Sequence, residues 1–250
     1  MDLVERLRTI MGVRKRTFKD GGNVIEITES ESEKTMRFNN IVYSRINRNV
    51  YTHQYWDFFV PIASLYENPR ILMIGLGAGT VPYQLVRLME GGYSIDVVEI
   101  SKPIIDEYNS SEQSNDAHVR IFQGDGADYV HNNRDAYDVI ILDAFVDANI
   151  PAQFFTEDFI ANANACLKQD GILAINYLNP ANGATNVEEY RAKLGRFFKI
   201  YEIRISGVAL NHILLCSKRM GKEEMVSLIR GKISETRENA FILREIEQMQ

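Results

Sequence analysis

Only two cysteines, Cys166 and Cys216, occur in the 250 residues, and each stands inside an apolar pattern. A disulfide framework or a metal site has no support, and buried structural thiols are the expectation. An excess of positive charge is also missing, since 28 Lys and Arg face 34 Asp and Glu for a formal net charge of −6. A protein that must neutralise many phosphates needs the opposite balance, so nucleic acid is disfavoured as a partner, although Arg14-Lys15-Arg16 is a local basic cluster. No apolar run approaches the roughly 20 residues that span a bilayer. The opening Met1-Asp2-Leu3-Val4-Glu5 lacks the charged-then-apolar pattern of a signal peptide. The expectation is a cytoplasmic protein without membrane association, and neither repeats nor low-complexity linkers interrupt the chain.

What is present suits an ordinary globular protein, with 45% hydrophobic and 25% charged residues. Residues 3–11 read as a short amphipathic helix, and Lys19-Asp20-Gly21-Gly22 is a turn signal. Val24 to Thr28, Thr35 to Phe38 and Ile41 to Ile46 read as three short strands of an antiparallel sheet, the last two joined at Asn39-Asn40. A helical stretch runs from Tyr55 to Tyr66, with a turn at Asn68-Pro69. The continuous apolar run Ile71-Leu72-Met73-Ile74 then predicts a strand buried on both faces.

From there strands and helices alternate: strands at 71–74, 95–99, 119–122, 138–142 and 171–176, and helices at about 81–90, 102–109 and Thr156 to Leu167. Such alternation predicts an α/β fold, a doubly wound, mostly parallel seven-stranded sheet with helices on both faces. Asn186 and Glu189 are a candidate capping box for a helix running to Phe198, and Ile200 to Ile205 with His212 to Cys216 read as a closing antiparallel pair. Residues 221–250 are charged and helical, with Phe241, Ile242, Leu243, Ile246 and Met249 as an apolar stripe. The expected division is 1–52 for the N-terminal helix and small sheet, 53–220 for a Rossmann-like nucleoside-binding transferase domain and 221–250 for a helical tail.

In a doubly wound sheet, ligands bind beyond the C-terminal ends of the strands, where the order reverses. Gly75-Leu76-Gly77-Ala78-Gly79 follows the first long parallel strand, and the next helix is expected to offer free N–H groups to a ligand. The spacing is G-x-G-x-G, with Thr80 where the dinucleotide fingerprint has its third glycine, which argues against NAD and FAD. Glu99 ends the second strand, Gly124-Asp125-Gly126 follows the third and Asp143 to Asp147 the fourth. An acidic residue twenty positions beyond the loop can accept both hydroxyl protons of a ribose. A diphosphate would be repelled by this acidity, whereas a sulfonium cation tolerates it, so adenosyl plus sulfonium is the better reading.

These residues resemble the spermidine synthase-like group within the class I S-adenosylmethionine-dependent transferases. The resemblance covers about residues 24–217 and rests on Ile71 to Thr80, Ile95 to Ile100, Gly124-Asp125-Gly126 and Tyr137 to Asp143. Ile150-Pro151, Phe155 to Phe159 and Leu167 to Leu173 complete it. It implies a cofactor site formed by Gly75, Gly77, Ala78, Gly79, Glu99, Ile100, Asp125, Gly126 and Asp143, with Glu99 on ribose and Asp125 on the adenine amine. It implies Asp143 and Asp147 as catalytic residues and Gln54 and Tyr55 as substrate-binding residues, with no metal. His53, Tyr55 and Trp56 are candidates to line the acceptor pocket, although core packing suits Trp56 better.

Several positions depart from the aminopropyltransferases of that group. Ala78 replaces the aspartate that holds the aminopropyl ammonium, His53-Gln54-Tyr55 stands for Tyr-His-Glu, Asp143 and Asp147 are four rather than three apart, and Ser101 replaces an aspartate. An aspartate about 4 Å from the carboxylate of S-adenosylmethionine would cost roughly 4 kcal/mol at an effective dielectric of 20. Ala78 removes that repulsion, so methyl transfer from S-adenosylmethionine to a small-molecule acceptor, an amine among the candidates, is the favoured reading. Aminopropyl transfer from decarboxylated S-adenosylmethionine is the alternative, and a silent nucleoside-binding module is the third. The DNA-methylase tetrad Asn-Pro-Pro-Tyr is absent, Asn176-Tyr177-Leu178-Asn179-Pro180 being only an echo of it. A homodimer is the expected assembly.

Overall fold

The computed structural model describes residues 12–39, 41–145, 150–178, 187–205, 211–233 and 236–250. The expected helix at 3–11, Asp147 and Asn186 lie outside them.

Four strands, β1 (Arg14–Asp20), β2 (Asn23–Glu29), β3 (Glu33–Phe38) and β4 (Ile41–Asn47), form an antiparallel meander in chain order. β1 is one strand more than the hydrophobic pattern showed. Its residues are charged and largely exposed, and backbone pairing with β2 from Arg14↔Glu29 to Asp20↔Asn23 makes it a strand. The basic cluster on it is paired with acids: Lys15 with Glu26, and Arg16 with Glu29 at 3.1 Å and Glu107 at 2.6 Å. Between β3 and β4 the register closes at Phe38↔Ile41, and Asn39 adopts the left-handed φ of 47° that a two-residue connection demands.

A short 3₁₀ turn (Tyr55–Phe58) leads into α1 (Phe59–Ala63), shorter than the helix expected to Tyr66. The second sheet then unfolds as β5 (Arg70–Ile74), α2 (Thr80–Leu88), β6 (Ser94–Glu99), α3 (Lys102–Asn109), β7 (Val119–Gln123), α4 (Gly126–His131), β8 (Tyr137–Leu142), α5 (Glu157–Cys166), β9 (Leu167–Leu178), α6 (Val187–Leu194), β10 (Lys199–Arg204) and β11 (Asn211–Ser217). α7 (Lys222–Lys232) and α8 (Arg237–Glu247) follow.

The seven strands lie in the order β10-β11-β9-β8-β5-β6-β7, parallel from β9 to β7 and antiparallel where β11 joins β9 and β10. The chain runs outward from β5 through β6 to β7, then crosses to β8 on the other side. The switch point thus falls between β5 and β8, where a crevice opens at the carboxyl ends of the strands.

The buried strands alternate faces as a pleat requires. Ile71, Met73, Val97, Val139 and Ile141 join the core on the side of α1, α2 and α8, whereas Leu72, Ile74, Val98, Ile140 and Leu142 join the core under α4, α5 and α6. Cys166 and Cys216 are both free thiols within the second core, and burial pushes the Cys166 thiol up to about 11. Of the tail's apolar stripe, Ile242, Ile246 and Met249 are buried, with Phe241 and Leu243 packed at the edge. The chain end is tied into the fold where Glu202 and Gln250 exchange two backbone hydrogen bonds. Among the described residues no helix is long and apolar enough to cross a membrane, and no group of three or more His, Cys, Asp and Glu could hold a metal ion.

Candidate active site

A cavity of about 700 Å³ opens at the switch point, between the carboxyl ends of β5, β6 and β8 and the inner face of the small sheet. Gly75, Gly77, Glu99, Ile100, Asp125, Gly126, Asp143, Tyr55 and Trp56 all stand on its wall. Gln54, Ala78, Gly79 and His53 do not. Ala78 is only 2% exposed and packs into the core, so its side chain is not placed to choose between cofactors. His53 instead sets its ring against Phe241, with centroids 6.0 Å apart. Trp56 takes both roles considered for it, being buried and on the wall, with its indole N–H donating to the Thr52 hydroxyl at 2.5 Å.

The glycine loop is built for close backbone packing inside the protein. Gly75 has φ of 95°, and a Cβ there would lie 2.3 Å from the carbonyl oxygen of Asp143. Gly77 has φ of 56° and faces Ser44 of β4, whose Cβ would be 3.2 Å from an added methyl. The Ser44 and Thr80 hydroxyls share a hydrogen bond of 2.6 Å, and Arg45 N donates to Thr80 Oγ1 at 3.0 Å. The small sheet therefore packs against the start of α2, while Gly77, Thr80 and Val81 still line the cavity. A second anchor holds the same sheet: Arg16 and Lys34 both pair with Glu107 of α3.

Four carboxylates line the cavity: Asp20, Glu99, Asp125 and Asp143. Glu99 is 7% exposed and accepts from Leu76 N and Ser101 N, each at 2.8 Å, so one side chain ties the glycine loop to the start of α3. Burial raises its pKa, while those hydrogen bonds act in the opposite direction. Asp125 caps α4 through Ala127 N at 2.7 Å and receives Gln153 Nε2 at 3.1 Å. Both of its oxygens are engaged, and each keeps a further lone pair. Ile100, 65% exposed on the rim, offers an apolar surface next to Glu99.

Asp143 follows β8 and is held by side chains instead. Asn176 Nδ2 donates to its Oδ1 at 2.8 Å, and the Tyr55 hydroxyl lies 3.2 and 3.4 Å from its two oxygens. Burial pushes the Asp143 carboxyl up to about 6, against the opposing effect of those donors. Tyr55 is held well above the usual phenol range by burial and by the Asp143 charge, so it stays a donor.

The sequence pattern did not single out the wall contributed by the small sheet, namely Asp20, Asn23, Met36, Phe38, Tyr43 and Ser44. It showed Asn176 only as the first residue of the Asn-Pro-Pro-Tyr echo and not as a partner of Asp143; the residue's one further signal is its place as a polar residue closing the apolar run Ile172 to Ile175.

The polyamine aminopropyltransferase of Clostridium beijerinckii is 32% identical over 155 residues, 58% of this chain and 53% of that protein. The chain spans about half the length of the curated relatives it matches. An N-terminal histidine N-methyltransferase of Emericella nidulans is 36% identical over 112 residues, 42% of this chain but 19% of that protein. The crystal structure of spermidine synthase from Thermotoga maritima superposes with a TM-score of 0.72 at 18% identity, covering 94% of this chain and 84% of that one, which shows a shared fold. The model of the spermine/spermidine synthase domain matches residues 58–213, from the turn that carries Tyr55's neighbour Phe58 to the last strand. That span holds the glycine loop, Glu99, Asp125 and Asp143 in one continuous match over more than half of the chain, which therefore belongs to the spermine/spermidine synthase domain family.

Proposed function

We propose that the protein transfers an aminopropyl group from decarboxylated S-adenosylmethionine to a primary amine. The observation that carries this reading is the charge of the cavity: four carboxylates on its wall and, among the described residues, no lysine, arginine or histidine. Both reactants of aminopropyl transfer are cations. Intact S-adenosylmethionine would bring a carboxylate into this field with no cationic side chain to receive it, at a cost of about 1–4 kcal/mol per neighbouring carboxylate at 4 Å. The charge of the wall, and not Ala78, which is buried away from it, bears on the choice of donor and reverses the preference for methyl transfer. The aminopropyltransferase relatives favour the same choice.

Glu99 would hold the ribose hydroxyls, Asp125 the adenine amine and Ile100 one face of the base. The acceptor arrives as an ammonium and must lose a proton before its nitrogen can attack the carbon bonded to sulfur. Asp143 takes that proton. Lifting its carboxyl to about 6 narrows the gap to an ordinary amine of pKa about 10.4. As the new C–N bond forms, the C–S bond breaks and its electron pair stays on sulfur, leaving neutral methylthioadenosine. Alignment of the two reactants in one crevice supplies much of the remaining rate.

The test is calorimetric titration with decarboxylated and intact S-adenosylmethionine, followed by product analysis on a panel of amines. The expected result is roughly tenfold or tighter binding of the decarboxylated form and appearance of methylthioadenosine. Preference for the intact form with release of S-adenosylhomocysteine would restore methyl transfer. Tight binding with no turnover of any amine would mark a silent nucleoside-binding module.

A further inference from the structure

Asn176 is 0% exposed, at the end of the buried strand β9, and its amide is committed on both sides. Its Nδ2 donates to Asp143 Oδ1 at 2.8 Å, and its Oδ1 accepts from Asn211 Nδ2 at 2.9 Å. Asn211 begins β11, opposite Leu178 in the register, and stands on the cavity wall. An amide has a donor end and an acceptor end, and Asn211 occupies the acceptor end. The donor end of Asn176 is thereby forced toward Asp143.

We infer that Asn176, itself oriented by Asn211, is the positioning residue for Asp143: it ties one carboxylate oxygen and leaves the other as the proton acceptor. This rests on the reading of Asp143 as the base at the transfer site. An N–H donor opposite Oδ1 stabilises the ionised carboxylate and gives a proton on that oxygen nothing to bond to. The proton is therefore directed to Oδ2. The other titratable groups facing Asp143 are Tyr55, from the turn before α1, and Tyr43 of β4, which acts on Tyr55. No cationic side chain on the cavity wall competes with the amide for Asp143 among the described residues. The Asn211–Asn176–Asp143 chain links the antiparallel edge of the sheet to the switch point, so a residue on β11 sets the basicity of a group that follows β8.

Two measurements on Asn176→Leu and Asn211→Leu test the inference. The first is a carbon NMR titration of protein labelled at the aspartate carboxyl, with the Asp143 signal assigned by its loss in Asp143→Asn. The second is the pH profile of kcat and KM for amine turnover. In Asn176→Leu the Asp143 midpoint should rise by one unit or more. At pH values below both midpoints kcat should fall about tenfold, the change expected for one unit, shrinking to about twofold at pH 7, with KM nearly unchanged and activity recovering in alkali. Asn211→Leu leaves the donor in place but frees the amide to turn, and should shift the midpoint the same way by less. Midpoints within about 0.3 unit of wild type in both folded variants would overturn the inference, since a tenfold effect needs a full unit. The NMR arm needs no turnover: a midpoint that moves in a protein that consumes no amine supports the positioning role while removing the transfer reading.

Discussion

Two carboxylates at the ends of parallel strands, the buried Glu99 that closes β6 and the half-buried Asp143 after β8, are held in different ways. Glu99 is fixed by two backbone N–H groups, from Leu76 and Ser101. Asp143 is fixed by two side chains, Tyr55 and Asn176, from elements 88 and 33 residues away in the chain. Backbone donors cannot titrate or swing away, so Glu99 behaves as part of the scaffold and suits a static task such as holding a ribose. Side-chain donors can be tuned, and Asp143, lifted to about 6, is poised to exchange a proton near neutrality.

The sharpest test of this contrast is Asp143→Asn. Turnover should fall by about 10²–10⁴-fold, the usual worth of a general base, while nucleoside affinity measured by titration stays within a few-fold. Equal loss of binding would make Asp143 a second scaffold carboxylate.

The scaffold side is probed by Gly75→Ala, because the new methyl would sit 2.3 Å from the Asp143 carbonyl oxygen at a φ of 95°. Denaturant unfolding should show a loss of about 3 kcal/mol or more. A near-neutral effect would show that the turn between β5 and α2 yields easily.

Stability against pH separates the two carboxylates further. The folded-state pKa of Asp143 is raised from 3.8 to about 6, so its neutral form favours the fold. That contribution, about 3 kcal/mol in all, is complete below about pH 4 and is lost as pH rises through about 6. Wild type should therefore lose stability relative to Asp143→Asn over that window, while turnover rises through it. A constant difference between the two proteins from pH 4 to 7 would contradict the raised carboxyl.

Glu99→Ala should weaken nucleoside binding by about 1–3 kcal/mol and, unlike a purely ligand-facing residue, cost a similar amount of stability. The reason is that Leu76 N and Ser101 N would be left buried without partners. Loss of affinity with unchanged unfolding would show that water replaces the carboxylate.

The smallest effect is expected at Ala78. Ala78→Ser should change the ratio of affinities for intact and decarboxylated S-adenosylmethionine less than twofold, about 0.4 kcal/mol. A large shift in that competitive titration would return the loop residue to the cofactor.

The strand positions of the main sheet, the glycine loop, Glu99, Asp125 and Asp143 were legible in the residues themselves, whereas the strand order was not. Each depends on local rules: apolar runs of strand length, a glycine turn after a strand, and an acidic residue at a strand end. β1 was not legible, because its residues are charged and its strand form comes from pairing with β2. The local pattern also could not show that Gly77 packs against Ser44 as well as lining the cavity, or that Ala78 turns into the core, since both depend on where the small sheet docks.

The sequence by itself determined a doubly wound sheet with acidic strand ends at its switch point, because hydrophobic periodicity and turn chemistry act over a few residues. Only the tertiary structure decided which side chains share the cavity wall with that acidity and how Asp143 is held. The acidic cavity wall, without a cationic side chain among the described residues, and the Asn211–Asn176–Asp143 chain arise from side chains far apart in the sequence, and no local pattern encodes their meeting.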